Sequence, residues 1–150
     1  MKLPRYNTKA DELQTTFEFI SEGPKGRIPK LVQFGETNLK DFYNLAFGDK
    51  NLLTGELDDL AVSNNGDSDK VLATVVDTVY AFCYRYPEAW VFAAGSTPAR
   101  TRLYRMGLNR FYDEAVDTFI VYGLLNDEWE EFRRQVDYTG FAVRLIHPLT

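Results

Sequence analysis

The hydrophobic pattern of this chain first changes period at Asn64-Asn65-Gly66, and that change limits what it can fold into. Before it, apolar residues alternate with polar ones, as on a half-buried strand; after it they recur every three or four residues, as on a helix. Phe17 and Phe19 share one face of a first strand, and the run Ser21-Glu22-Gly23-Pro24-Lys25-Gly26 supplies a turn. Ile28, Leu31, Val32 and Phe34 carry a second strand, so a hairpin is predicted. Tyr43, Leu45 and Phe47 alternate with Asn44 and Ala46 in a third strand that ends at Gly48-Asp49. Thr54-Gly55 turns the chain into a fourth strand over residues 57–62, its start blurred by Asp58-Asp59. The first fifteen residues have no period and read as a loosely ordered lead-in.

From Ser68 onward, Leu72, Val75, Val76, Val79, Phe82, Cys83 and Tyr86 form the stripe of an amphipathic helix, capped by Asp67 or Ser68 and stopped by Pro87. Residues 90–94 are a short apolar run suited to a central strand covered on both faces. Thr97 is a capping residue and Pro98 fits the first helical position, so a second helix begins there and carries Leu103, Met106 or Gly107, and Phe111. Gly107 weakens that helix in mid-course and marks an early end for it. Two late strands, residues 118–124 and 138–146, flank a polar connection at 126–131. The expected fold is one α/β (α+β) domain over residues 1–150. It is a mainly antiparallel, twisted sheet of about seven strands with two helices, in the order ββββαβαββ.

Composition narrows the chemistry. With 150 residues, 45% of them hydrophobic, the chain can bury a core without covalent staples. One Cys cannot form an internal disulfide or a Cys-rich zinc site, and one His excludes a multi-histidine metal centre. No apolar run approaches the roughly 18 residues of a membrane helix, and the opening residues lack the apolar core of a secretory signal. A soluble, cytoplasmic protein with no membrane partner is therefore expected. Aromatic residues make up 15% of the chain, enough for an aromatic homodimer face. The net charge of −5 is the sum of two local characters. Asp49, Glu56, Asp58, Asp59, Asp67 and Asp69 crowd the middle, whereas Arg100, Arg102, Arg105 and Arg110 follow one another with no acid between them.

The junction between the fifth strand and the second helix is the leading candidate site. Gly95, Ser96 and Thr97 leave backbone N–H groups free at a helix N-terminus, where the dipole favours an anion. Arg100 and Arg102, with Arg105 a turn further on, would add charge-assisted hydrogen bonds to it. The same residues also fit a plain cap whose arginines pair with the acidic middle of the chain. The loop of residues 64–69 precedes the other helix, and Gly66 suits a left-handed turn there. Its acids Asp67 and Asp69 repel phosphate and favour a cap. Glu56, Asp58 and Asp59 are the candidates for a general base, and equally for a charged strand edge that resists aggregation. Cys83, on the apolar stripe, reads as a packing residue, and His147 as exposed and idle. Arginines interleaved with Tyr104, Phe111 and Tyr112 have the pattern of a stacking groove, but a pI near 4.9 argues against nucleic acid.

Two stretches carry a resemblance. Gly66-Asp67-Ser68-Asp69-Lys70-Val71-Leu72-Ala73-Thr74-Val75 and Gly95-Ser96-Thr97-Pro98-Ala99-Arg100-Thr101-Arg102-Leu103-Tyr104-Arg105 resemble a family of small Bacteroidetes proteins classed as a domain of unknown function, over nearly the full length. That resemblance implies a bacterial protein and no activity. The order strand, glycine loop, helix, strand, helix, two strands, with Leu103-Tyr104-Arg105-Met106-Gly107-Leu108 on the second helix, resembles the C-terminal two-thirds of the GCN5-related N-acetyltransferase fold. This second resemblance implies an acyl-CoA whose pyrophosphate lies at the loop before the first helix, and Tyr104 as the acid that protonates the departing thiolate. Three functions follow as expectations. The first is a non-catalytic binding or regulatory domain, without a cofactor, that engages a small anionic ligand or a protein partner at the 95–105 junction. The others are an acetyl-CoA-dependent N-acyltransferase, and an interaction-module partner that uses the arginine helix on protein or nucleic acid.

Overall fold

The computed structural model describes residues 4–58, 64–94 and 98–146, the side chains of 98–100 excepted. Along the chain these form β1 (Lys9–Ala10), β2 (Thr16–Gly23), β3 (Gly26–Glu36), β4 (Phe42–Lys50), β5 (Leu57–Asp58), α1 (Ser68–Arg85), β6 (Trp90–Ala93), α2 (Pro98–Ala115), β7 (Phe119–Leu125), β8 (Glu128–Glu131) and β9 (Gly140–Leu145). The fold is mixed α+β with two helices and mostly antiparallel strands, as expected. Two strands, β1 and β8, were not foreseen in the sequence pattern. By internal contacts the chain divides into two compact units, Met1–Gly35 with Ala46–Phe82, and Glu36–Leu45 with Cys83–Thr150.

In the first unit β2 and β3 form the predicted hairpin, tighter than the glycine-rich run suggested. Gly23 pairs with Gly26, so only Pro24 and Lys25 make the turn, and Gly26 has a positive φ of 91°. Phe17, Phe19 and Ser21 point to one face, opposite Val32, Lys30 and Ile28. Helix α1 presents Phe82 to this unit, where it stacks on Phe34 with ring centroids 4.2 Å apart, and Phe17 meets the edge of Phe34 at 5.9 Å. Thr74 and Thr78 are buried on α1 without loss because each hydroxyl donates to a carbonyl of its own helix. The patternless lead-in is held by tertiary contacts. Lys9 and Ala10 pair with Glu18 and Phe17, Asp11 accepts the N–H groups of Thr15 and Thr16, and Tyr6 stacks on Phe19 at 5.7 Å. The fourth expected strand is described only as Leu57–Asp58, paired with Lys50 and Asp49; its remainder lies outside the described residues.

In the second unit the first residues of β4 pair in parallel with β6, Phe42 to Trp90 through Asn44 to Phe92. β9 then pairs antiparallel with both β6 and β7, and β8 pairs with β7. β6 is therefore central, as its apolar run predicts, but its faces differ: Val91 and Ala93 are buried, Trp90 and Phe92 half-buried. Helix α2 runs unbroken through Gly107. The stripe it buries is Tyr104, Gly107, Phe111 and Ala115, while Met106, an expected core residue, is 47% exposed. A glycine costs a helix about 1 kcal/mol relative to alanine, and burial of this face offsets it.

The polar connection at 126–131 is a correction. Asn126 and Asp127 have φ of 52° and 63°, the two left-handed residues of a type I′ turn, and Glu128–Glu131 returns as β8. Without a glycine at that turn the hairpin signal is weak in sequence. β9 starts at Gly140 and not at residue 138, because Tyr138 leaves the strand direction to lie, fully buried, on Gly123. A Cβ at Gly123 would be 2.5 Å from that ring. Gly123→Ala is expected to lower the unfolding free energy by about 1–3 kcal/mol, the cost of overpacking, seen as a lower urea midpoint with an unchanged slope.

Candidate functional site

On the inner face of the first unit's hairpin, two polar residues take places that the alternation gives to apolar ones: Ser21 and Lys30, 0% and 1% exposed. The Lys30 ammonium lies 2.6 Å from Asp49 Oδ1 and 5.9 Å from the ring centre of Phe47. Asp49 stands opposite Asp58 in the β4–β5 ladder. Like charges across a ladder repel, and the buried ammonium offsets that repulsion on the Asp49 side. A buried cation requires such a partner, since desolvation would otherwise cost several kcal/mol.

The loop that leads into α1 is sealed by the same hairpin. Asn65 is 1% exposed; its Nδ2 donates to the Gly26 carbonyl at 2.9 Å and to Ser21 Oγ at 3.2 Å, and its Oδ1 accepts the Lys25 N–H at 2.7 Å. The approach is so close that a Cβ on Gly23 would lie 1.9 Å from the Asn65 carbonyl oxygen. Asp67 starts α1 by accepting the Val71 N–H, and its carboxylate accepts from Tyr6 Oη at 2.6 Å and Ser21 Oγ at 2.5 Å. Burial, and then the bond to Asp67, push the Tyr6 phenol above its ordinary range. Tyr6 also donates its N–H to Thr74 on the first turns of α1. At the start of α1, where the acetyltransferase resemblance would seat a pyrophosphate, the Asn65 amide and the Asp67 carboxylate are thus bonded to Tyr6 and the β2–β3 hairpin, and the Asp67 charge repels an anion there.

The other sequence candidates separate. Glu56 is exposed and Asp58 half-buried, both in the first unit, whereas Tyr104, Arg102 and Arg105 belong to the second. Tyr104 is 7% exposed, with its hydroxyl oxygen out of solvent. Arg102 is exposed, and Arg105 is half-buried with Nη1 3.5 Å from Asp137. Arg102, Met106 and Arg110 form an exposed ridge at i, i+4 and i+8, and the first turn of α2 has no acid. Asp59, Gly95, Ser96, Thr97 and His147, with the side chain of Arg100, lie outside the described residues. Cys83 is fully buried, and burial pushes its thiol up to about 12, as a packing residue requires. Among the described residues no group of three or more His, Cys, Asp and Glu could hold a metal, and no helix is long and apolar enough to cross a membrane.

Residues 2–146 match a family of unknown function, DUF6934. The chain belongs to that family. No curated protein and no solved structure matches it.

In this DUF6934 protein the residues that sequence reasoning missed are Tyr6, Lys30, Asn65 and Tyr138. Only Asn65 left a signal, as part of the Asn-Asn-Gly that breaks the period. Tyr138 joins a second polar cluster: its hydroxyl donates to Glu130 at 2.7 Å and accepts the Arg133 N–H at 3.1 Å, while Arg133 also pairs with Glu130. Tyr138, and then Arg133, hold the Glu130 carboxyl below the usual range.

Two outcomes are expected. Lys30→Met should lower the unfolding free energy by about 3–5 kcal/mol by taking the ammonium away from the largely buried Asp49 carboxylate, and Lys30→Met with Asp49→Leu should recover most of it in the same urea titration. Because the folded-state pKa of Glu130 is depressed, its contribution is complete above the unfolded carboxylate value and lost as pH falls through the folded one. Glu130→Gln should therefore be less stable than wild type at pH 7, and the two melting curves should converge under acid.

Proposed function

We propose that this DUF6934 protein is a non-catalytic binding domain that holds an acidic protein segment along α2. The observation that carries the reading is the exposed Arg102, Met106, Arg110 ridge, cationic on a chain of net charge −5 and set on a helix whose first turn holds no acid. Gly95, Ser96, Thr97 and Arg100 would extend the contact at the helix N-terminus, where backbone donors and a further guanidinium suit a carboxylate or phosphate. No cofactor enters, and the single cysteine of the chain suits the reducing cytoplasm as its setting.

The acyltransferase alternative draws support from the element order, β4, β5, α1, β6, α2 and then the final strands, and from the parallel β4–β6 pair. Against it stand the Asp67 carboxylate at the start of α1, which repels a pyrophosphate, and the interior position of Tyr104, which would have to reach an acyl-CoA sulfur. Acetyl-CoA at millimolar concentration should leave the melting temperature unchanged. A gain near the roughly 2.7 kcal/mol given by ligand at 100 times its dissociation constant would favour the enzyme instead.

The direct test is fluorescence anisotropy with a labelled decaglutamate peptide. Binding should weaken between about 20 and 150 mM salt and fall about tenfold or more in Arg102→Glu with Arg110→Glu. Equal binding of a decalysine peptide, or indifference to the double substitution, refutes the reading. Stronger retention of single-stranded DNA, lost in the same variant, would replace the protein partner by nucleic acid.

A further inference from the structure

Both tryptophans of the chain, Trp90 and Trp129, lie on one face of the second unit's sheet. The register places them with Phe42, Phe92 and Tyr122: Phe42 is beside Trp90, Trp90 beside Arg144, Phe92 in line with Ala142 and Tyr122, and Trp129 beside Leu124. Helix α2 belongs to the opposite face, where its Tyr112 packs on Phe132 at 5.0 Å and Phe132 on Phe141 at 6.2 Å.

The rings on the outer face meet one another. Trp90 and Tyr122 stack at 5.7 Å, Phe92 meets Trp129 edge-on at 5.6 Å, and Phe42 lies 5.9 Å from Phe92. They can do so because β9 contributes only Gly140 and Ala142 between them. A Cβ at Gly140 would already stand 3.2 Å from the Phe92 ring. Small residues on the middle strand let rings from both sides close over it. The result is a continuous aromatic floor, with Trp129 43% exposed and, among the described residues of this unit, no helix over it.

Charge decides what fits there. The floor carries one cation, Arg144, which pairs with Glu88 at 2.9 Å and lies over Trp90, and at its β8 edge the exposed Glu131. Nucleic acid would bring phosphates onto Glu131 and Glu88. A second copy of the same face brings both signs, and a two-fold axis sets Glu131 of each chain toward Arg144 of the other. Five strands and three rows of side chains cover about 20 by 15 Å, on the order of 300 Å². That is about the size of the largest apolar patch on a typical monomer, which is often a functional one. It is less than half of the roughly 800 Å² per partner in a stable interface.

We propose that this outer face is a homodimer interface of moderate affinity, formed by two copies of the chain through Trp90, Phe92, Tyr122 and Trp129. Sedimentation equilibrium between about 5 and 500 μM, followed together with tryptophan emission, tests it against the affinity expected for so small a contact. The mass should rise from 17.3 kDa toward twice that value, with a concentration-dependent blue shift. Trp129→Asp should raise the dissociation constant by about tenfold or more without changing the circular dichroism. Glu131→Arg, at an exposed edge position, should weaken the dimer while leaving the melting temperature in place. A chain that stays monomeric at the highest concentration overturns the proposal, as does a dimer that neither substitution affects.

Discussion

The first unit depends on one buried amide. Asn65 offers two donors and an acceptor, and all three are used across a gap of some forty residues in sequence, on Lys25, Gly26 and Ser21. Unmade, each would cost a buried polar group its full desolvation penalty, about 1–3 kcal/mol. Made together, they fix where the chain enters α1 relative to the β2–β3 turn. Gly23 follows from this as a steric necessity. So does the partnership of Asp67 with Tyr6 and Ser21, which draws the N-terminal residues onto the unit.

The same logic recurs in the second unit with an aromatic in place of the amide. Tyr138 is wholly buried with its ring on Gly123 and its hydroxyl between Glu130 and the Arg133 N–H, so a large side chain becomes a fixed spacer between β7 and the segment before β9. In the first unit the buried Ser21, Lys30 and Asn65 are satisfied by partners distant in sequence, and for that reason they leave little trace in local pattern.

These constraints bear on function. A helix N-terminus attracts anions only while its N–H groups face solvent. At α1 the Asp67 carboxylate, bonded to Tyr6 and Ser21, stands at that end and repels an anion. Four of the chain's seventeen Lys and Arg lie on α2, where Arg102 and Arg110 are exposed with Met106 between them. Tyr104, which the acetyltransferase resemblance marks for acid chemistry, is drawn into the helix's buried stripe by the spacing it shares with Gly107, Phe111 and Ala115.

Local sequence determined the element types: period two through Phe17, Phe19 and the strands that follow, period 3.6 from Leu72 to Phe82, the Pro98 start of α2, and the segregation of acids from arginines. Those signals depend on neighbours within a turn or a strand, so they survive without knowledge of the fold. The sequence also placed Cys83 in the core and made β6 central. Tertiary structure alone decided that Lys30 is buried, that Asn126 and Asp127 turn a hairpin, that α2 continues through Gly107, and that rings from four strands pave one face over Gly140 and Ala142. The first and the last of these rest on a partner far along the chain, such as Asp49 for Lys30 or Trp129 for Phe92. A residue's burial is set by what packs against it, and that is a property of the folded chain and not of its local sequence.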